Sequence, residues 1–414
     1  MKNTFAFMLL SCCFLFGLAG CTDKDEDPQP EPSVFKKTNR TVLAYIVGDM
    51  NLWFQLEESI NLMEKGWDET IDGTLLVYLD HSPHLTQFGQ PVLLEITHDE
   101  TDMLVSKVVK TYPDQDAGDP NVMRDVLNDA ITLYPADSHG LIIAAHGNGF
   151  IPELTVNSRT RALSGSERYG STLEIDELAR ILPLKYDFIL FHACNMSNVE
   201  TAYQLRNKCE YLMGSVFSLP GYGYPYDQII PYLFTKPKAD LYKACSLSYQ
   251  EYKTKIDPAR FREFSVEVIK TSELENLAAA TFKFLDDLNM SYEEMRYELY
   301  KEREEMKDSP IPDKNFVIDC YEDTGILLDL KGIAFLTKDE EKFRTYEAAL
   351  NKVVILHYVV GQTSNAMKMT MSNLGSGLSF YLPAYIDDPL IEQLNSKFTN
   401  NYEWAKASGF AKKR

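Results

Sequence analysis

Along the chain, unbroken apolar runs of strand length alternate with stretches in which apolar residues recur every three or four positions. Val42 to Val47 (VLAYIV) is the first run, closed by Gly48 and Asp49, and Leu75 to Leu79 is the second, closed by Asp80. Leu141 to Ala145 and Phe188 to Phe191 are the third and fourth. Between them, Leu52, Phe54, Leu56, Ile60 and Met63 recur at the spacing of one helix face over Leu52–Lys65. Val122–Leu133 and Leu173–Leu182 predict two more helices. Strands apolar at every position, alternating with helices, predict a mainly parallel sheet covered on both faces. In such sheets chemistry gathers just beyond the carboxyl ends of the strands.

The second half reads as more helical. Ser272-Glu273-Leu274-Glu275 has the form of a capping box, and Leu274, Leu277, Ala278, Leu285 and Leu288 continue one apolar face. Tyr292 to Lys307 reads as a charged, solvated helix. Met367 to Met371 and Leu378 to Leu382, joined through Gly375 and Gly377, read as strands that add to the sheet. The expected architecture is a three-layer α/β sandwich with its core at 38–235. A largely helical region at 236–414 supplies strands that complete the sheet.

Composition narrows the function classes. The chain has 414 residues, 45% of them hydrophobic, enough to bury a large core. Its net charge of −20 repels phosphate backbones, so nucleic acid is not an expected partner. The N-terminus stands apart from this composition. Lys2 precedes an apolar run from Phe5 to Leu18 that is short for a membrane span and ends in Leu18-Ala19-Gly20-Cys21. This resembles the lipobox of bacterial lipoproteins, which implies a signal peptide at 1–20, removed by cleavage, and a lipid on Cys21. Thr22 to Asp27 is acidic, and Pro28, Pro30 and Pro32 follow, so 21–37 reads as a solvated tether. The acidic cluster behind Cys21 resembles the surface-export signal of Bacteroidetes lipoproteins. The implied location is the cell envelope, at the outer membrane and its surface, with the membrane as a partner through the lipid anchor.

Of seven cysteines, Cys12, Cys13 and Cys21 belong to this leader. Cys194, Cys209, Cys245 and Cys320 remain, too scattered to impose a disulfide framework. Two strand ends carry the candidate chemistry. Leu141 to Ala145 delivers His146 into the turn Gly147-Asn148-Gly149, and Phe188 to Phe191 leads through His192 and Ala193 to Cys194. If both strands lie in one parallel sheet, a thiol and an imidazole emerge at the same edge, the pair needed for nucleophilic acyl transfer. A helix start behind Cys194 is expected to lower its pKa. Gly147 allows its N–H close to a scissile carbonyl, and with the N–H of Cys194 it is the candidate oxyanion hole.

At these residues the sequence resembles the clostripain family of cysteine peptidases, in the clan of caspases and gingipains. The likeness starts at Thr41 to Tyr45 and Asp49 to Leu52 and continues through Gly118-Asp119-Pro120 and Tyr134 to Asp137. It includes His146 to Gly149, Ala193 to Met196, Val199-Glu200, Ala202-Tyr203, Pro220-Gly221 with Gly223 and Tyr226, and Gly377 to Pro383. The resemblance implies a caspase-like fold, a His146–Cys194 dyad, and hydrolysis of peptides or proteins through a thioester. The order and the interval of about fifty residues between His and Cys are those of caspases. Calcium is the one cofactor the family suggests, with no residues assigned to it here.

The departures from the family's pattern concern specificity. Relatives that cut after Arg or Lys carry Asp two residues before the nucleophile, where this chain has His192. A second acidic position in the following loop is Tyr222. His192, Tyr222 and Ser215 are the expected substrate-binding residues. Because an imidazole cannot neutralise a buried guanidinium, a neutral, polar or acidic P1 residue is expected rather than strict Arg or Lys. Arg159 and Arg161 lie where relatives cleave themselves, and the altered pocket argues for an ordinary loop there. His81 and His84 lack companions for zinc, Asp49 and Asp80 read equally as strand caps, and Cys320 reads as structural. The alternative reading is an inactive surface-anchored binding protein on the same scaffold. Transpeptidation would use the same thioester.

Overall fold

Alternation along the first strand decides the architecture. In β1 (Thr38–Val47), Val42, Ala44 and Ile46 face one core while Leu43, Tyr45 and Val47 face another. A strand buried on both sides needs a layer against each. The structure is a computed structural model that describes residues 35, 37–48, 51–80, 87–151, 163–164, 169–255, 263–307, 327–363, 367–368, 375–384 and 388–412. The described residues all belong to one compact unit, Val34–Arg414. Cys21 and the leader, Asp49, His81, His84, Arg159, Arg161 and Cys320 lie outside the described residues.

The further strands are β2 (Gly73–Asp80), β3 (Val92–Glu95), β4 (Lys107–Thr111), β5 (Ala136–Ala144), β6 (Leu163–Ser164) and β7 (Thr172–Leu173). They continue as β8 (Tyr186–His192), β9 (Cys209–Gly214), β10 (Glu263–Lys270), β11 (Leu327–Asp329), β12 (Val354–Thr363), β13 (Met367–Lys368) and β14 (Ser379–Tyr381). Among the described residues, ten of them form one sheet in the order β13-β12-β10-β9-β8-β5-β1-β2-β3-β4. The central run from β9 to β2 is parallel. Both margins are antiparallel.

Helices α1 (Trp53–Gly66), α2 (Pro120–Leu133), α3 (Ile175–Ile181), α4 (Val199–Gln204), α5 (Tyr226–Leu233) and α6 (Leu241–Lys255) connect the strands. Leu56, Ile60 and Met63 of α1 pack with α5 and α6 on one face of the sheet. Met123, Val126, Leu127 and Ala130 of α2 pack with α3 and α4 on the other. Asp119 starts α2 by accepting from the N–H of Asn121 at 2.6 Å, with Pro120 as the first helical residue. The helices of the second half are α7 (Leu274–Leu288), α8 (Tyr292–Lys307), α9 (Glu340–Val353), α10 (Pro389–Asn401) and α11 (Glu403–Ala407). None of the described helices is long and apolar enough to cross a membrane.

Three local expectations change. The segment 378–382 does not join the large sheet, since β14 pairs with β11 instead; β10, β12 and β13, the last within the expected 367–371 strand, extend the sheet past β9. No capping box forms at Ser272, because Thr271–Glu273 is a 3-10 turn and Glu273 caps α7 without a side-chain hydrogen bond. Nor is α8 solvated all round. Tyr292, Met295 and Leu299, at helical spacing, are buried in the core that covers α7 and α10. Burying each such side chain contributes roughly 1.5–3 kcal/mol, which outweighs the charged look of the helix.

Candidate active site

Three neighbouring parallel strands bring the site together. In β1, β5 and β8, Ile46 lies beside Ala144 and Ala144 beside His192. His146 leaves β5 two residues past Ala144, and Cys194 leaves β8 two residues past His192, at one edge. The two turns touch. A Cβ on Gly147 would lie 2.7 Å from the carbonyl oxygen of Cys194 and 3.1 Å from its nitrogen, so only glycine fits. Leu163 of β6 bridges back to Gly147.

The turn behind the thiol is held in an uncommon conformation. Asn195 has φ 58°, the left-handed region that Asn tolerates better than most residues. Its N–H donates to Phe217 O at 3.0 Å, and its carbonyl accepts from Asn198 Nδ2 at 2.9 Å. Asn198 in turn caps α4 by accepting from the N–H of Thr201 at 2.8 Å. A long contact of 3.5 Å from Asn195 Nδ2 to Asn148 Oδ1 ties the cysteine turn to the histidine turn.

Cys194 is half-buried, whereas Cys209 and Cys245, the other free thiols among the described residues, are fully buried. The Leu219 N–H donates to Cys194 Sγ at 3.2 Å, and the thiol points back to Leu219 O at 3.6 Å. Burial raises the Cys194 pKa, while hydrogen bonds from Leu219 and Ser218 pull it down. The helix expected to lower it begins only at Val199, too far along the chain to dominate. The net direction is upward, which favours the thiol over the thiolate. His146 is the candidate base, placed on the turn whose Gly147 abuts Cys194. Its Nε2 lies 2.7 Å from Asn51 Oδ1, on the turn that follows β1 and for which the sequence alone suggests no role.

His192 lies beneath the Gly221–Gly223 turn, 4% exposed. Its Nε2 donates to Gly221 O at 3.1 Å and its Nδ1 accepts from the Tyr226 hydroxyl at 3.2 Å. Burial lowers its pKa to about 4 against a smaller opposing effect of the Gly221 carbonyl, so the ring is neutral near neutral pH. Gly223, at φ +58°, lies flat on this ring: a Cβ there would fall 2.1 Å from His192 Cε1. Tyr222 is half-buried and stacks on Tyr252 at 6.2 Å between centroids. Ser215 is fully buried, its hydroxyl 3.0 Å from that of Ser265 and accepting from the N–H of Phe217 at 3.1 Å. Of the three expected substrate contacts, Tyr222 alone keeps exposed surface; His192 and Ser215 support the loop from below.

The clostripain family's sequence profile matches residues 44–412, most of the chain. The chain belongs to the clostripain family of cysteine peptidases. Clostripain from Hathewaya histolytica is 27% identical over 239 residues, covering 50% of this chain and 45% of that protein. The chain thus spans about half the length of the curated relative it matches. A secreted C11 cysteine protease from Bacteroides thetaiotaomicron, solved with an irreversible peptide inhibitor, is 26% identical with a TM-score of 0.69. It covers 90% of this chain and 99% of its own. An inactive zymogen C11 protease from Parabacteroides distasonis is 25% identical with a TM-score of 0.68, covering 91% of this chain and 99% of its own. Among the described residues no three His, Cys, Asp or Glu side chains gather where they could hold a metal ion.

Support also comes from far along the sequence. Ser379 of β14 donates its N–H to Ser197 O at 3.0 Å, within the turn that follows the thiol. Tyr381 donates its N–H to Glu200 Oε1 at 2.8 Å, and burial raises the Glu200 carboxyl to about 8. The C-terminal region of this clostripain-family chain thus buttresses the cysteine turn directly.

Proposed function

We propose that the chain is a cysteine endopeptidase with Cys194 as nucleophile, His146 as general base and acid, and an uncharged P1 specificity. The observation that carries the reading is the register of β5 with β8, which brings both turns to one edge with Gly147 against Cys194. As Cys194 Sγ bonds to the scissile carbonyl carbon, its proton passes to His146, and the carbonyl oxygen becomes an oxyanion beside the N–H groups of Gly147 and Cys194. Collapse restores the carbonyl, breaks the C–N bond, and sends the proton from His146 to the departing amine. Water, deprotonated by His146, then attacks the thioester and releases the acid and the thiol. An amine acceptor at that step would give transpeptidation.

The P1 reading rests on His192. Both its nitrogens are engaged and the ring is neutral, so a guanidinium set above it would lack a counter-charge at a cost of several kcal/mol. An acidic P1 residue would find no cation there either, which favours uncharged residues. Export and lipidation at Cys21 are part of the proposal, supported by Leu18-Ala19-Gly20-Cys21 and by a neighbour described as secreted. In this reading Arg159 and Arg161 are not sites of self-cleavage, and no observation favours the inactive binding protein. The test is a panel of peptides varied at P1. Uncharged residues are expected to be cleaved fastest, and fastest cleavage after Arg would contradict the specificity.

A further inference from the structure

The strand order that brings His146 and Cys194 together brings a third polar residue to the same edge. β5 lies between β8 and β1, so the turn after β5 has the cysteine turn on one side and the turn after β1 on the other. The turn after β1 carries Asn51, whose Oδ1 lies 2.7 Å from His146 Nε2. Asn51 is itself held in place. The adjoining Leu52 and Gln55 pack against Gly221, where a Cβ would lie 3.0 Å from Leu52 Cδ2 and 3.2 Å from Gln55 Cγ. The segment is therefore wedged between the histidine turn and the Pro220–Gly223 turn, which also covers His192.

We propose that Asn51 is a positioning residue that fixes the tautomer of His146, accepting the Nε2 proton so that the basic lone pair is on Nδ1. The inference rests on the peptidase reading for its role in turnover, but the tautomer it assigns does not. An amide oxygen at this distance stabilises a ring that carries hydrogen on Nε2, in both the neutral and the protonated state. It favours the protonated ring further, because a hydrogen bond from a cation is the stronger one. Asn51 therefore holds the ring in plane and eases arrival of the thiol proton, without touching substrate. Deleting the side chain removes this acceptor and with it the preference for hydrogen on Nε2. Asp at this position keeps the acceptor and adds a charge.

The test has two readouts on the full chain. First, kcat and KM are compared for the unaltered protein, Asn51→Ala and Asn51→Asp. The alanine variant should lose at least about tenfold in kcat with KM unchanged, and the aspartate variant should recover much of it. Second, nitrogen-15 spectra and pH titration follow His146 in a Cys194→Ala background, where the thiol no longer titrates with it. Hydrogen should reside on Nε2. The His146 midpoint should fall by about one pH unit on adding Asn51→Ala and rise on adding Asn51→Asp. An unchanged tautomer and midpoint in the alanine variant, or full turnover, would overturn the proposal. Loss of fold in both variants would make Asn51 structural and overturn it as well. If Cys194→Ala itself retained hydrolysis, the peptidase reading would fail while the tautomer result stood.

Discussion

His192 is buried under Gly223 with both ring nitrogens bonded. Its folded pKa of about 4 lies below the ordinary 6.5 of the unfolded chain. Between those values the unfolded state binds more protons, so this residue's contribution is complete above the unfolded pKa and is lost as pH falls through the folded one. The full loss is about 3 kcal/mol. Denaturant titrations of His192→Gln should therefore show a shallower fall in stability across that acid window. A slope equal to that of the unaltered protein would contradict the buried, neutral imidazole. At this scale the meeting of the His146 and Cys194 turns was legible in the sequence, because each residue follows an unbroken apolar strand. Asn51 and the Gly221–Tyr226 cradle were not, because their partners are distant in sequence and meet only through strand order. The burial of Ser215 was hidden too, since its hydroxyl partner Ser265 lies on β10, fifty residues further along the chain.

At the scale of elements, the parallel centre of the sheet followed from β1, β2, β5 and β8, which are apolar at nearly every position. The second half was harder to read. Periodicity identifies a strand but not its partner, so β14 was expected in the large sheet when its pairing with β11 lets it brace the cysteine turn. Counting charges concealed the buried Tyr292, Met295 and Leu299 stripe on α8 in the same way. The bracing has a consequence. Ser379→Pro removes the N–H that Ser197 O accepts, leaving a buried carbonyl without its donor at a cost of about 1–3 kcal/mol. Kinetics and circular dichroism should find kcat reduced about tenfold or more with the overall secondary structure kept. Undiminished turnover would show that β14 does not support the nucleophile.

For the whole molecule, the ten-stranded sheet supplies a rigid edge, and the helices on its two faces hold that edge in one register. Burial raises the Cys194 pKa, so in the proposed mechanism its reactivity depends on His146 to remove the proton during attack. Cys209 and Cys245 lie deep in the same unit, where burial raises their pKa, to about 12 for Cys209, and keeps them unreactive. His146→Ala and Cys194→Ala should each lower peptide hydrolysis by at least about a thousandfold without unfolding the protein, as activity assays and thermal melts would check. The most direct test of the central claim is covalent labelling with acyloxymethyl ketone peptides varied at P1, followed by mass spectrometry of the modified residue. The account predicts modification of Cys194, fastest with an uncharged P1 residue and abolished in His146→Ala. A folded protein that no such peptide labels, or one labelled at another cysteine, would contradict it.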